Sequence, residues 1–293
     1  MERSVGNSSI HLYADDTILY TAGTSPDTVL TTLQDSFQSI QSHLSALGLV
    51  LNTTKTKIMW FGRSGASQTG TIVTADGRDL EIVKSYKYLG FWIDSNLSFK
   101  EHLSKIQTKV KARLSFLYRN RSSFTSSAKL SLVQMTVLPL FDYGDTIYRS
   151  ACKGALDHLD VLYHSAIRFA TNAPYRTHHC DLYSLANWPS LETRRNIHWL
   201  MFVYKTLLGL TPFYLTQLLQ LRTPPTHNTR SATSILLKIP KAHTSFGRSA
   251  FQFAAADSWN TVQKTLQIKT FVSPRTFNVT IIDTLAHSCS CFA

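Results

Sequence analysis

Residues 10–20 read IHLYADDTILY, two short apolar runs with an adjacent pair of aspartates between them. Strand-forming residues at 10–13 and 17–21 predict a tight β-hairpin that carries Asp15 and Asp16 at its bend. Two like charges at one bend repel. A divalent cation between them removes that cost, because oxygen-rich sites are what Mg²⁺ prefers. Phosphoryl transfer by two metal ions uses such carboxylates, with a third from a neighbouring strand. Taken alone, an exposed acidic turn is the simpler account of the pair, so its meaning rests on the segments that follow.

Downstream, Ser25, Pro26 and Asp27 read as N-cap, first helical position and first-turn acid. Val29, Leu33, Phe37, Ile40, Leu44 and Leu47 then recur at helical spacing and predict one buried stripe, closed by Gly48. KTKIMWFG, at 55–62, reads as a buried strand and Arg63–Ser67 as a loop. TIVTADGRDLEIV, at 71–83, reads as a hairpin turning at Asp76–Gly77, and SYKYLGFWID, at 85–94, as a strand buried at Tyr88, Phe91 and Ile93. Beyond Asn96 the pattern turns helical, with Leu103, Ile106, Val110, Leu114 and Leu117 in one stripe. Further helices are expected at 126–138, 154–172, 190–208 and 212–220. A linker at 222–234 follows, then a short strand at 235–239, a helix near 247–265 and a weak C-terminal run.

The chain has 293 residues, 43% of them hydrophobic and 16% charged, which is the composition of a globular protein with one large or two modest domains. No run of eighteen apolar residues predicts a membrane span, and the first residues lack a secretory signal pattern. Four sparse cysteines argue for an intracellular, reduced protein without a disulfide framework. The net charge of +12 is one-sided: residues 1–96 hold 7 basic and 9 acidic side chains, while residues 97–293 hold 23 and 9. An excess so placed points to a polyanionic partner.

In this order the segments resemble the reverse transcriptases of non-LTR (LINE-type) retrotransposons. YADDTILY resembles the catalytic palm hairpin. The helix at 26–48 running into GLVLNTTKTKIMWFG resembles the next palm motif, a helix, a turn and an Asn-x-x-Lys-Thr before a strand. SYKYLGFWID is similar to the primer-grip hairpin, and the basic helix from Phe99 to the start of the thumb. LFDYGDTIYR, HSAIRFATNAPY and FGRSAFQFAAADSWN are similar to C-terminal segments of such elements.

The resemblance implies an α+β fold: a small partial antiparallel palm sheet with one packed helix, then a mostly α-helical thumb and C-terminal region. The implied domains are a partial palm at 1–96, a helical thumb-like region at 97–221, the linker at 222–234 and a small mixed segment at 235–293. It implies catalytic and metal-binding roles for Asp15 and Asp16 with Mg²⁺, and nucleotide contacts for Lys55, Tyr13 and Ala14. Read from residues alone, Lys55 is a solvated turn lysine. The implied primer grip is Tyr88, Leu89 and Gly90.

Lys100, Lys105, Lys109, Lys111, Arg113 and Arg119 crowd one helix against the single acid Glu101, which suits sequence-independent contact with phosphates. Tyr118, Tyr163 and Trp199 could stack on bases, although at helical spacing they fit a core as well. His178, His179 and Cys180 are ligand types without a second paired motif, and carry no zinc assignment here. Asp145, Asp157 and Asp160 beside His158 and His164 read as a helical surface of satisfied polar residues.

Two palm motifs of the family, one with the first catalytic aspartate and one glycine-rich, precede the catalytic hairpin, as do the fingers. Only twelve residues precede Tyr13. The expectation is therefore a truncated reverse transcriptase fragment, inactive alone but able to bind RNA and DNA primer–template, in the nucleus or cytoplasm as a ribonucleoprotein. The alternatives are a non-catalytic nucleic-acid-binding module or the non-functional product of a decayed element.

Overall fold

The computed structural model describes residues 6, 8–62, 70–222 and 234–285. The loop expected at Arg63–Ser67, most of the expected linker (223–233) and the tail cysteines Cys289 and Cys291 lie outside the described residues. The chain forms two compact units, Met1–His102 and Leu103–Ala293. It is an α+β protein with short two-stranded sheets in the first unit and helices through the second.

In the first unit, β1 (Ser9–Tyr13) and β2 (Asp16–Tyr20) pair antiparallel across a two-residue bend. The helix α1 (Pro26–Ala46) starts where expected, with Ser25 extended at its N-cap. The Ser25 hydroxyl, however, makes no capping hydrogen bond. The α1 stripe is buried only in its middle, at Phe37 and Ile40, whereas Leu47 is exposed beside Gly48 at φ +70°. Phe37 joins Ile58, Ile72 and Leu80 in a small core, against which Leu19, Leu30, Leu33, Leu51 and Trp60 pack.

Three strand expectations change. The strand at KTKIMWFG shrinks to β3 (Lys57–Ile58), which pairs in parallel with β4 (Glu81–Ile82). The hairpin at 71–83 is reduced to a Val73–Asp79 bridge around its turn, since Thr74 accepts from Gly77 N–H and donates through its own N–H to Arg78. SYKYLGFWID is no single strand but a hairpin of β5 (Ser85–Tyr88) and β6 (Phe91–Asp94). Leu89 and Gly90 sit at the bend with φ of +46° and +85°, which is the conformation glycine tolerates and a continuous strand forbids.

In the second unit the long helix α2 (Lys100–Arg119), within which the division of the chain falls, buries Leu103, Ile106, Val110, Leu114 and Leu117 as the spacing predicts. The helix expected at 126–138 breaks into α3 (Ser126–Thr136) and α4 (Leu138–Asp142), because Pro139 cannot donate a backbone hydrogen bond. A single turn α5 (Asp145–Tyr148) precedes α6 (Lys153–Thr171), which ends on Asn172 in the left-handed region. Next come α7 (His179–Ala186), α8 (Leu191–Leu207) and a short α9 (Phe213–Thr216) in place of the helix expected at 212–220.

The turn α10 (Ser245–Ser249), α11 (Phe251–Leu266) and α12 (Pro274–Leu285) complete the described elements. α8, α11 and α12 share one core around Trp199, Tyr204, Trp259 and Phe277, with Tyr204 and Phe277 rings stacked 3.8 Å apart. The strand expected at 235–239 is a lone Leu221–Leu237 bridge. Its backbone bonds to Gln220, Arg222 and Ile268 and also to side chains: Asn260 both donates to and accepts from Leu237, and Trp259 Nε1 and Gln263 donate to the Ile235 carbonyl. Tyr163 and Trp199 lie in the core rather than on a stacking face. No helix of the described residues is long and apolar enough to cross a membrane.

Candidate active-site hairpin and nucleic-acid-binding helix

The hairpin tip is Ala14–Asp15, closed by the pair Tyr13 and Asp16. Ala14 holds φ +52°, a left-handed conformation that costs an alanine about 1–2 kcal/mol and that a glycine would adopt freely. Both aspartates are exposed, as are Tyr13 and Leu12 on the two faces of β1. Neither carboxylate joins a salt bridge among the described residues. They also belong to neither of the two close groups of three potential metal ligands found among those residues, Asp142–Asp145–His198 and His178–His179–Cys180.

Two further expected residues are drawn to the β5–β6 hairpin within the same unit. Burial, and then the nearby Asp16 carboxylate, raise the Tyr88 phenol above its ordinary pKa. Asp16 is thus near enough to act on the implied primer-grip tyrosine through its charge. Two positions earlier on the same strand, the Tyr86 hydroxyl donates to the Lys55 carbonyl at 3.1 Å. Tyr86 and Tyr88 share one strand face, to which the Lys55 turn is tied by the Tyr86 hydroxyl.

Asn52 explains that turn. Its Oδ1 accepts from Thr54 Oγ1 at 2.7 Å and from Lys55 N–H at 3.2 Å, and its backbone carbonyl accepts from both the N–H and the hydroxyl of Thr56. The Asn-x-x-Lys-Thr spacing is thus an Asx-type turn that leaves the Lys55 side chain exposed. Leu89 and Gly90 form the bend of the grip-like hairpin.

The basic helix is a separate feature. Lys100, Lys105, Lys109, Lys111, Arg113 and Arg119 are all exposed on α2. Lys105, Lys109 and Arg113 recur every fourth residue and so follow one strip of the helix. A shallow groove of about 580 Å³ borders it, lined by Lys109, Arg113, Phe116, Leu132, Thr136 and Leu140. Phe116, three positions from both Arg113 and Arg119 on the helix, is 53% exposed, a placement sequence reasoning missed. The signal was available: Phe116 is an aromatic one position off the apolar stripe. Tyr118 is turned away from this role, since its hydroxyl donates to the Ser165 carbonyl and its ring packs edge-on against Phe169.

Of the acidic group read as a satisfied helical surface, Asp157 and His158 are exposed on α6, whereas Asp145 is buried next to a further acid, Asp142, in a partly buried polar network. Asp142 is held by Arg194 at 2.5 and 2.6 Å, and the buried Asp145 contacts His198 Nδ1 at 2.6 Å. Burial raises Asp160 to about 6, partly offset by Arg195. The reason for the miss is that His198 and Arg194 come from a helix fifty residues away in sequence.

Residues 1–93 match the reverse transcriptase (RNA-dependent DNA polymerase) family. The relatives are reverse transcriptases of mobile elements. The chain is 29% identical over 170 residues to the RNA-directed DNA polymerase from mobile element jockey of Drosophila melanogaster, covering 57% of this chain and 18% of that protein. It is 26% identical over 184 residues to the jockey enzyme of Drosophila funebris, covering 60% and 20%. It is also 26% identical to the probable RNA-directed DNA polymerase from transposon BS of Drosophila melanogaster, covering 64% and 21%. The chain therefore spans about a fifth of the length of these relatives. No solved structure matches.

Proposed function

We propose that the first unit is the catalytic-hairpin part of a reverse transcriptase palm and that α2 is a nucleic-acid-binding helix of its thumb. The observation that carries the reading is the exposed Asp15–Asp16 hairpin together with the Asn52–Lys55 turn, which the Tyr86 hydroxyl ties to β5, inside the segment that matches the reverse transcriptase family. Asp15 and Asp16 would hold Mg²⁺. Two exposed, adjacent carboxylates fit that ion, which keeps several waters and takes one or two carboxylates plus substrate phosphates. When bound, the ion neutralises negative charge developing on the transferred phosphoryl group. Lys55 supplies a compact cation toward a triphosphate, and Tyr13 and Ala14 form the floor beside the primer end. Tyr88, Leu89 and Gly90 steady the primer strand.

On this reading the chain binds primer–template, and polymerisation calls for a third carboxylate beside Asp15 and Asp16. A second reading, a purely nucleic-acid-binding module, is favoured by the exposed cations and Phe116 of α2, which pair phosphate contact with a stacking ring. Such a protein would work as a ribonucleoprotein in the nucleus or cytoplasm.

A primer-extension assay with Mg²⁺ and an RNA template separates these readings. The expected result is retention of the hybrid without incorporation. Incorporation that disappears in Asp15→Ala would establish that the chain polymerises alone, and failure to retain any nucleic acid would overturn both readings.

A further inference from the structure

The strongest grouping outside the hairpin stands at the start of α7. His178 is its N-cap, with Nδ1 accepting from Cys180 N–H at 3.4 Å, and His179 and Cys180 are its first two helical residues. One donor atom from each of the three lies within 4.8 Å of the other two. The His178 and His179 rings are 4.1 Å apart. His164 of α6 stacks on His179 at 5.6 Å and 17°, while its Nε2 contacts the Tyr183 hydroxyl at 2.6 Å. A ring clamped on one side by stacking and on the other by a hydrogen bond holds the plane of its neighbour, as the outer shell of a metal site does.

We propose that His178, His179 and Cys180 bind a Zn²⁺-class cation, with the fourth position open to water and His164 as a positioning residue. The donor set is the reason for the ion. Two imidazoles and a thiolate are soft to borderline ligands that select zinc over Mg²⁺ or Ca²⁺, and three protein ligands leave one coordination position free. Cys180 carries a thiol rather than a disulfide, and it releases its proton on binding the metal. His178 is exposed and the other two half-buried, so an ion reaches them without opening the fold. Bound there, it ties together the first turn of α7, a helix of only eight residues.

The site is tested with Co²⁺ as the probe, titrated into the full metal-free chain under reducing conditions and followed by absorbance. The expected result is one saturable site with a tetrahedral ligand-field band and a sulfur-to-cobalt charge-transfer band, both displaced by Zn²⁺. Cys180→Ser loses the charge-transfer band, and His178→Ala, at an exposed position, weakens binding at least about tenfold with an unchanged helical circular dichroism spectrum. Cys152→Ser keeps both bands. A charge-transfer band that survives Cys180→Ser, an octahedral spectrum, or no saturable binding overturns the proposal.

Discussion

The two units of this chain put their apolar residues to opposite uses. The second buries Trp259, Tyr204 and Phe277 in a shared core and closes its loops with side-chain amides. The first buries a smaller set, with Phe37, Ile58, Ile72 and Leu80 in one core and Ile40, Phe91 and Phe99 beyond it, and exposes Leu12, Tyr13, Tyr20 and Val50. Its β1–β2 hairpin has unpaired edges on both sides among the described residues, the arrangement that usually demands a further strand or a cover. The contrast teaches that order in the second unit comes from packing, whereas in the first it comes from turns and single polar residues.

The sharpest way to break that contrast is to cut into each unit alike. Trp259→Ala empties a fully buried site and should cost about 3–5 kcal/mol by chemical denaturation, whereas Leu12→Ala on the exposed hairpin should change stability by less than about 0.5 kcal/mol. Amide exchange should follow the same order, with residues 8–20 exchanging well before the α2 and α6 amides. Equal protection in both would remove the contrast.

Next in size is Asp94. It accepts from the backbone of Asn96, Ser98 and Phe99 and from the Ser98 hydroxyl, at 2.8 to 3.1 Å. Those bonds hold Leu97 and Phe99 at φ +51° and +55°, a conformation neither side chain favours. Burial pushes the Asp94 pKa up, and the four hydrogen bonds more than reverse it, leaving the carboxyl below its ordinary 3.8. Asp94→Ala should cost about 2 kcal/mol and release the start of α2, seen as faster exchange at residues 96–103. Asp94→Asn, which keeps one acceptor, should cost less.

A smaller effect distinguishes the second unit by pH. The Asp145 hydrogen bond raises the His198 pKa above 6.5, against burial, with Asp145 and Asp142 adding to the rise and Arg194 opposing it. A raised folded value means that the contribution is complete below pH 6.5 and is lost as pH rises through that value. Denaturation midpoints of the wild type should fall across this window, and His198→Gln should flatten the decline. A decline that persists in the variant would assign it to another group.

Much of this was legible in the sequence where spacing alone decides the outcome. The α2 stripe from Leu103 to Leu117 is buried position for position, and the first hairpin forms in the expected segment, although its tip is Ala14–Asp15 and Asp16 opens β2. What was hidden depends on partners distant in sequence or on unusual caps. The α7 helix begins on a histidine cap instead of Ser, Thr or Asp, and α12 is rich in β-branched residues that Phe277 and Ile281 hold helical by burial. The strand expected at 235–239 had strand composition but finds side-chain partners in α11. At the candidate site, motif order gave the residue types, while the Asp16–Tyr88 approach and the exposed Phe116 required the fold.

The central claim is that α2 grips nucleic acid through its exposed cations. Its most direct test is the equilibrium binding of a labelled RNA–DNA hybrid across a range of salt. If Lys105, Lys109 and Arg113 each meet a phosphate, log affinity falls against log salt with a slope of at least about −2, and Lys105→Glu/Lys109→Glu/Arg113→Glu flattens it. A slope near zero in the wild-type chain, or the same slope in the triple variant, would contradict the account.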